Sequence, residues 1–130
     1  MARRASAATP VALLPTDGDA VAVVAKFFRA LGDPTRLRLL EFLLHEEHTV
    51  TECVAHVGLA QGRVSTHLSC LADCGYVHVR RSGRHAFYRV ADPRVAQLVL
   101  LAHALAANNH TALRACHRIP EPEAADARVA

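Results

Sequence analysis

Two cysteines four residues apart pose the first chemical question of this sequence. Cys70 and Cys74 lie in a stretch whose apolar residues Val64, Leu68 and Leu71 recur at helical spacing. On one helix both sulfurs share a face and can grip one soft ion. The competing reading is that cysteine is a small residue at home in a core. Cys53, three residues after Val50 and four before Val57, takes an inward helical position and reads as core. Nine histidines are many for this length. His45 and His48 bracket Glu46-Glu47, but zinc-protease chemistry needs two histidines four apart with a Glu next to the first. His103, His110 and His117 recur every seven residues, on one face if a single helix carries them. That spacing is a rise of about 10.5 Å, too far for two of them to share an ion within one helix.

The polar residues Gln61, Arg63, Ser65, Thr66 and His67 interleave with the apolar stripe at the start of the same stretch. They are the types that hydrogen-bond to base edges, or that merely solvate a helix. Arg80, Arg81 and Arg84 surround Ser82-Gly83, a basic turn of the kind that tracks phosphates. Enzyme chemistry has no comparable support. The sequence holds no P-loop, no GxGxxG, no nucleophile elbow and no paired carboxylates in a motif context.

These residues must be positioned by a single small domain. The chain has 130 residues, 52% hydrophobic and 21% charged, with aromatics at 5% and no Trp, so aliphatic packing builds the core. No run of about 18 apolar residues exists, which excludes a transmembrane helix and a membrane partner. After Arg3 and Arg4 the apolar stretch Val11 to Leu14 is cut by Pro15, too short for a secretory signal, so the expected compartment is the cytoplasm. Four cysteines there read as thiols or metal ligands rather than disulfides. The net charge of +3 does not by itself demand a nucleic-acid partner.

Gly and Pro divide the chain. Residues 1–16, Ala-rich and broken by Pro10 and Pro15, read as a disordered arm, and residues 119–130, with Pro120 and Pro122, as a disordered tail. Between them, 17–118 forms the folded domain. Val21, Val24, Ala25, Phe28 and Leu31 predict a helix over 17–31 that stops at Gly32. Asp33-Pro34 opens a second, with Asp as N-cap and Pro at the first helical position, running to about His45 and burying Leu37, Leu39, Leu40, Phe42, Leu43 and Leu44. Thr49-Val50-Thr51-Glu52 is a capping box that starts a third helix, ended by Gly58. After the turn Gly58-Leu59-Ala60 a fourth runs from Gln61 to about Cys74. Two short helices joined by a tight Gly-containing turn predict a helix-turn-helix. Tyr76–Arg80 and His85–Val90, around Arg81-Ser82-Gly83-Arg84, predict a β-hairpin. A last helix runs from Pro93 to about Ala107 or beyond. Its residues Val95, Leu98, Val99, Leu100, Leu101 and Leu105 need more cover than one chain supplies, which predicts a dimer interface shared with the first helix.

That order of elements is a winged helix-turn-helix, an α+β fold that is mostly α, with terminal dimerisation helices. Ala30-Leu31-Gly32-Asp33-Pro34-Thr35-Arg36-Leu37-Arg38-Leu39-Leu40, Val64-Ser65-Thr66-His67-Leu68 and Phe87-Tyr88 occur in the order and spacing of one family. Over roughly residues 20–107 the sequence resembles the ArsR/SmtB family of dimeric metal-sensing repressors. Ala60 stands where that family often has a Ser capping the recognition helix, a loss of about 1 kcal/mol. Leu68-Ser69-Cys70-Leu71-Ala72-Asp73-Cys74-Gly75 is most similar to the cadmium- and lead-sensing branch called CmtR. That resemblance implies a homodimer on double-stranded operator DNA, released by a soft ion: cadmium, lead, mercury or arsenite. It further implies that Cys70 and Cys74 are ligands, with Cys116 of the other protomer as the third. Many family members also bind zinc between terminal helices through an Asp, two His and a Glu. Here Asp92 fits the first place, while Arg94, Leu105 and Asn108 fill the others, so that site is expected to be missing. A thiol-redox repressor, with Cys70 and Cys74 oxidised in place of metal binding, is the alternative.

Overall fold

A computed structural model of the chain describes residues 12–15 and 18–121. The expected disordered arm and tail fall mostly on residues outside that range. The elements are α1 (Gly18–Leu31), α2 (Pro34–Phe42), β1 (His48–Thr49), α3 (Val50–Val57), α4 (Gln61–Asp73), β2 (Val77–Ser82), β3 (His85–Val90), α5 (Arg94–Asn108) and α6 (His110–Ala115). This is the winged helix-turn-helix that the sequence predicts.

Local chemistry accounts for most boundaries. The Asp33 side chain accepts from the Arg36 amide at 3.0 Å, and Pro34 sits in the first turn of α2. At α3 both bonds of the capping box form: Glu52 N–H donates to Thr49 Oγ1 at 3.2 Å, and Thr49 N–H to Glu52 Oε1 at 2.9 Å. Gly58 ends α3 in the left-handed region at φ 72°, where a side chain would be strained. Its N–H donates to the Val54 carbonyl at 2.8 Å.

Leu39, Leu40, Leu43, Cys53, Val64, Leu68 and Leu71 have no exposed surface, so α2, α3 and α4 enclose one core. Tyr76, Val77, Tyr88 and Val90 close it from the sheet, and Val95 and Val99 from α5. In the sheet β3 lies between β1 and β2, both antiparallel to it. Val77 pairs with Val90, Arg80 with Phe87 and Ser82 with His85.

Three expectations are corrected. α2 stops at Phe42 rather than near His45, because the Leu43 carbonyl is taken by the Val90 amide at 3.1 Å, tying the helix end to the wing. Leu37, Phe42 and Leu44 are accordingly half-buried. The Phe42 ring stacks with His48 and His56 at centroid distances of 3.8 and 4.0 Å. Two near-parallel rings that close cannot share one face, so the imidazoles flank it. β1 is an unpredicted strand, two residues long and so without a readable alternation; His48 and Thr49 pair with Tyr88 and Phe87.

β2 runs on through Arg81 and Ser82, leaving a two-residue turn, Gly83-Arg84, with Gly83 at φ 60°. The last helix ends at Asn108, near where it was expected to, with Asn109 as its C-cap. The Asn109 N–H and side-chain amide both donate to the Leu105 carbonyl, at 3.1 and 2.9 Å, and α6 begins afresh. His103, His110 and His117 therefore share no continuous helix.

The chain leaves α1 and α5 apolar and bare. Val21, Val24 and Phe28 on α1, and Leu100, Leu101 and Leu105 on α5, are exposed, Leu100 to 73%.

Candidate nucleic-acid interface and thiol pair

Helix α4 divides its residues by phase. Val64, Leu68 and Leu71 face the core, so the opposite ridge must face water. On that ridge Gln61, Gly62, Thr66, Ser69 and Asp73 are exposed. Gly62 offers no side chain, and a Cβ there would meet nothing within 4 Å, so a surface can approach the backbone closely. Thr66 Oγ1 donates back to the Gly62 carbonyl at 2.9 Å. Among the residues expected to read DNA, Gln61 and Thr66 are thus presented outward. Arg63, Ser65 and His67 are half-buried. His67 Nδ1 lies 3.5 Å from Nη1 of Arg36, so the imidazole partly serves α2. Gly62 and Ser69 were missed, although Ser69 is three residues past Thr66 and the same periodicity points to it. No side chain caps Ala60, as its type requires.

The wing holds its arginines differently from one another. Arg81 and Arg84 are exposed at the tip of the hairpin and open to a polyanion. Arg80 is not so disposed. Its Nε donates to Glu47 Oε2 at 3.2 Å, Nη2 donates to Glu47 Oε1, and its guanidinium lies 4.5 Å from the centre of the Phe87 ring. Register explains this: Arg80 and Phe87 are direct partners on one face of β2 and β3, and Glu47 enters beside them from the residue before β1. The Arg80 hydrogen bond holds the Glu47 carboxyl below its ordinary range. Arg89, exposed on β3, adds a basic residue that the sequence reading left out.

At the other end of α4, Cys74 is the C-cap and Cys70 is one turn earlier, its carbonyl accepting the Cys74 amide at 3.0 Å. Cys70 is half-buried and Cys74 exposed. The Cys74 thiol is pushed up by partial burial first, then by the charge and hydrogen bond of the neighbouring Cys70 thiol, while Lys26 on α1 pulls it down. The two thiols stand one turn apart at the end of α4, and as soft donors they fit a thiophilic ion. Cys116 stands just past α6, half-buried. Among the described residues of one chain, no three His, Cys, Asp or Glu side chains gather to hold a metal. Cys53 is fully enclosed, and burial pushes its thiol to about 11, an unreactive core residue. Asp92 is engaged by Arg94, with Oδ2 accepting from Nη2 at 2.7 Å, and these bonds hold its carboxyl down at about 2.

Comparison with known proteins agrees with this arrangement. The chain is 62% identical, over 96 residues, to a probable mercury resistance operon repressor of Streptomyces lividans, covering 74% of this chain and 77% of that one. Residues 33–79 match the family described as bacterial regulatory protein, arsR family. The chain belongs to the arsR family. A second family relative, the HTH-type transcriptional regulator CmtR of Mycobacterium tuberculosis, is 43% identical over 74 residues, 57% of this chain and 63% of the regulator. Among solved structures, the homodimeric winged helix-turn-helix DNA-binding domain of a possible ArsR-family regulator from Mycobacterium bovis superposes with a TM-score of 0.65. It is 28% identical and covers 78% of this chain and 93% of its own. Membership makes this arsR-family chain a transcriptional regulator and not an enzyme. Among its described residues no helix is long and apolar enough to cross a membrane.

Proposed function

We propose that this chain is a homodimeric cytoplasmic repressor that holds operator DNA in its ion-free form and releases it when a thiophilic ion binds Cys70 and Cys74. The observation that carries this reading is the pair of accessible thiols one turn apart at the end of the helix that also bears Gln61, Thr66 and Ser69. Cys116 of the other protomer supplies the third ligand, as the resemblance to the CmtR branch implies. The folded unit is residues 17–118. The bare apolar faces of α1 and α5 support the dimer, because a second copy covers them. Gln61, Arg63, Ser65, Thr66 and His67 work at base edges, and Arg81 and Arg84, with Arg80 once freed from Glu47, at phosphates.

Mercuric ion is the first inducer to test, given the Streptomyces relative, with cadmium, lead and arsenite beside it. The decisive experiment titrates each ion into a preformed complex of the protein with its operator and follows release by fluorescence anisotropy. Release by one or more of these ions, lost in Cys70→Ser and Cys74→Ser, supports the proposal; retention of DNA against all four refutes it. The one-turn spacing of the two thiols also favours a second reading, in which peroxide joins them as a disulfide with reduction of the peroxide to water. Release by peroxide and by none of the ions decides for that reading.

A further inference from the structure

Arg36 belongs to the most recognisable run of the sequence, yet neither DNA contact nor thiol chemistry employs it. Its guanidinium reaches three groups on two other elements. Nε donates to the Ala30 carbonyl at 2.7 Å and Nη2 to the Arg29 carbonyl at 3.5 Å, so it closes the C-terminal turn of α1, where carbonyls lack helical partners. Nη1 donates to His67 Nδ1 at 3.5 Å, on the recognition helix α4. A second link runs between the same two helices. Tyr76, 2% exposed and three residues past the end of α4, donates its hydroxyl to the Phe27 carbonyl of α1 at 2.7 Å. Its ring packs on Phe27 at 4.9 Å.

The order along the chain gives these links their meaning. His67 and Tyr76 are the two anchor points, and Cys70 and Cys74 lie between them. The other side of α1 carries the exposed Val21, Val24 and Phe28. A force applied at the thiols therefore meets α4 fastened at its middle, through His67, and just past its C-terminal end, through Tyr76, to the helix that bears the bare apolar face.

We propose that Arg36 and Tyr76 are positioning residues that hold α4 and α1 as one body, so that an ion closing on the thiols turns the reading head against the dimer face. This rests on the proposed repressor function. Without the two links, a shift at the thiols is absorbed by the C-terminal end of α4 and does not travel. Preorganisation of the reading head also falls, because α4 then loses these two bonds toward α1.

The test uses the full-length dimer, Tyr76→Phe and Arg36→Lys. The lysine keeps one donor for the Ala30 carbonyl but cannot also span to His67, which separates helix capping from bridging. In the metal-free arm, the ratio of operator to random-duplex affinity is expected to fall by about fivefold or more in each variant. In the second arm, mercuric chloride weakens operator binding by a factor about tenfold smaller than in the parent. Mercury affinity of the DNA-free dimer, read from thiolate-to-metal absorbance, stays within about threefold. A merely structural role would lower the thermal midpoint and both DNA affinities together, leaving both ratios intact. Parental ratios in folded dimers of both variants overturn the proposal. Should Tyr76→Phe fail to fold, Arg36→Lys decides alone. A parent that ignores mercuric ion counts against the repressor reading, and the metal-free arm still settles the role of the two links.

Discussion

Replacing Glu47 by Gln changes one charge at the root of the wing and should show whether Arg80 is held in reserve. Both acidic oxygens of Glu47 accept from Arg80, and the guanidinium rests on Phe87, so an approaching phosphate must compete with a carboxylate already in place. Glutamine keeps the size of the side chain but presents one neutral oxygen, and Arg80 is freed to meet the backbone of DNA. Each phosphate newly neutralised releases its counterion, which steepens the dependence of log K on log salt by about 0.9 on duplex DNA. Two protomers should thus steepen the slope by about 1.8 in Glu47→Gln. The assay is operator affinity from low to moderate potassium chloride, with Arg80→Ala and the double variant beside it. Affinity at low salt should rise in Glu47→Gln, and Glu47→Gln with Arg80→Ala should return to the slope of Arg80→Ala. An unchanged slope refutes the reasoning, and a loss of affinity would show that the ion pair shapes the wing rather than withholding a charge.

Arg63→Ala is expected to lower operator binding more than random-duplex binding, whereas Arg84→Ala should weaken both and flatten the salt slope by about one unit per protomer; equal losses on both duplexes for Arg63→Ala would remove it from the base-reading set. Ala60→Ser supplies the hydroxyl that the first turn of α4 lacks and should raise stability by about 1 kcal/mol in chemical denaturation. Cys116→Ala should keep operator binding and lose most ion-driven release, while Cys53→Ala keeps both at some cost in stability; an ion response unchanged in Cys116→Ala would leave the thiol pair without a third sulfur.

The parts of the fold that could be read in advance are those fixed within a few residues. Asp33-Pro34 and Thr49-Val50-Thr51-Glu52 specify their helix starts through bonds to amides three positions away, and Gly58 specifies a stop through its own backbone freedom. What escaped reading depends on distant partners. Strand β1 exists because Tyr88 and Phe87 lie beside His48 and Thr49, and α2 ends early because Val90 claims the Leu43 carbonyl. Neither event leaves a trace in local spacing.

The site divides along the same line. Periodicity was enough to place Cys70 beside Cys74, because one helix carries both. It could not tell which arginines of the wing are available, since Arg80 is claimed by a carboxylate 33 residues earlier in the chain. Nor could it give Arg36 a task, because the carbonyls of α1 and the imidazole of His67 meet only in the folded molecule. The wider consequence concerns how sensing and reading can share so small a domain. The thiols lie on the last turn of α4, and the exposed ridge of Gln61, Thr66 and Ser69 begins at its first. A helix of 13 residues is too short to bend much between them, so what happens to its end must be felt along its length unless the end frays. Tyr76, buried and bonded to α1 just past that end, is placed to keep it from fraying.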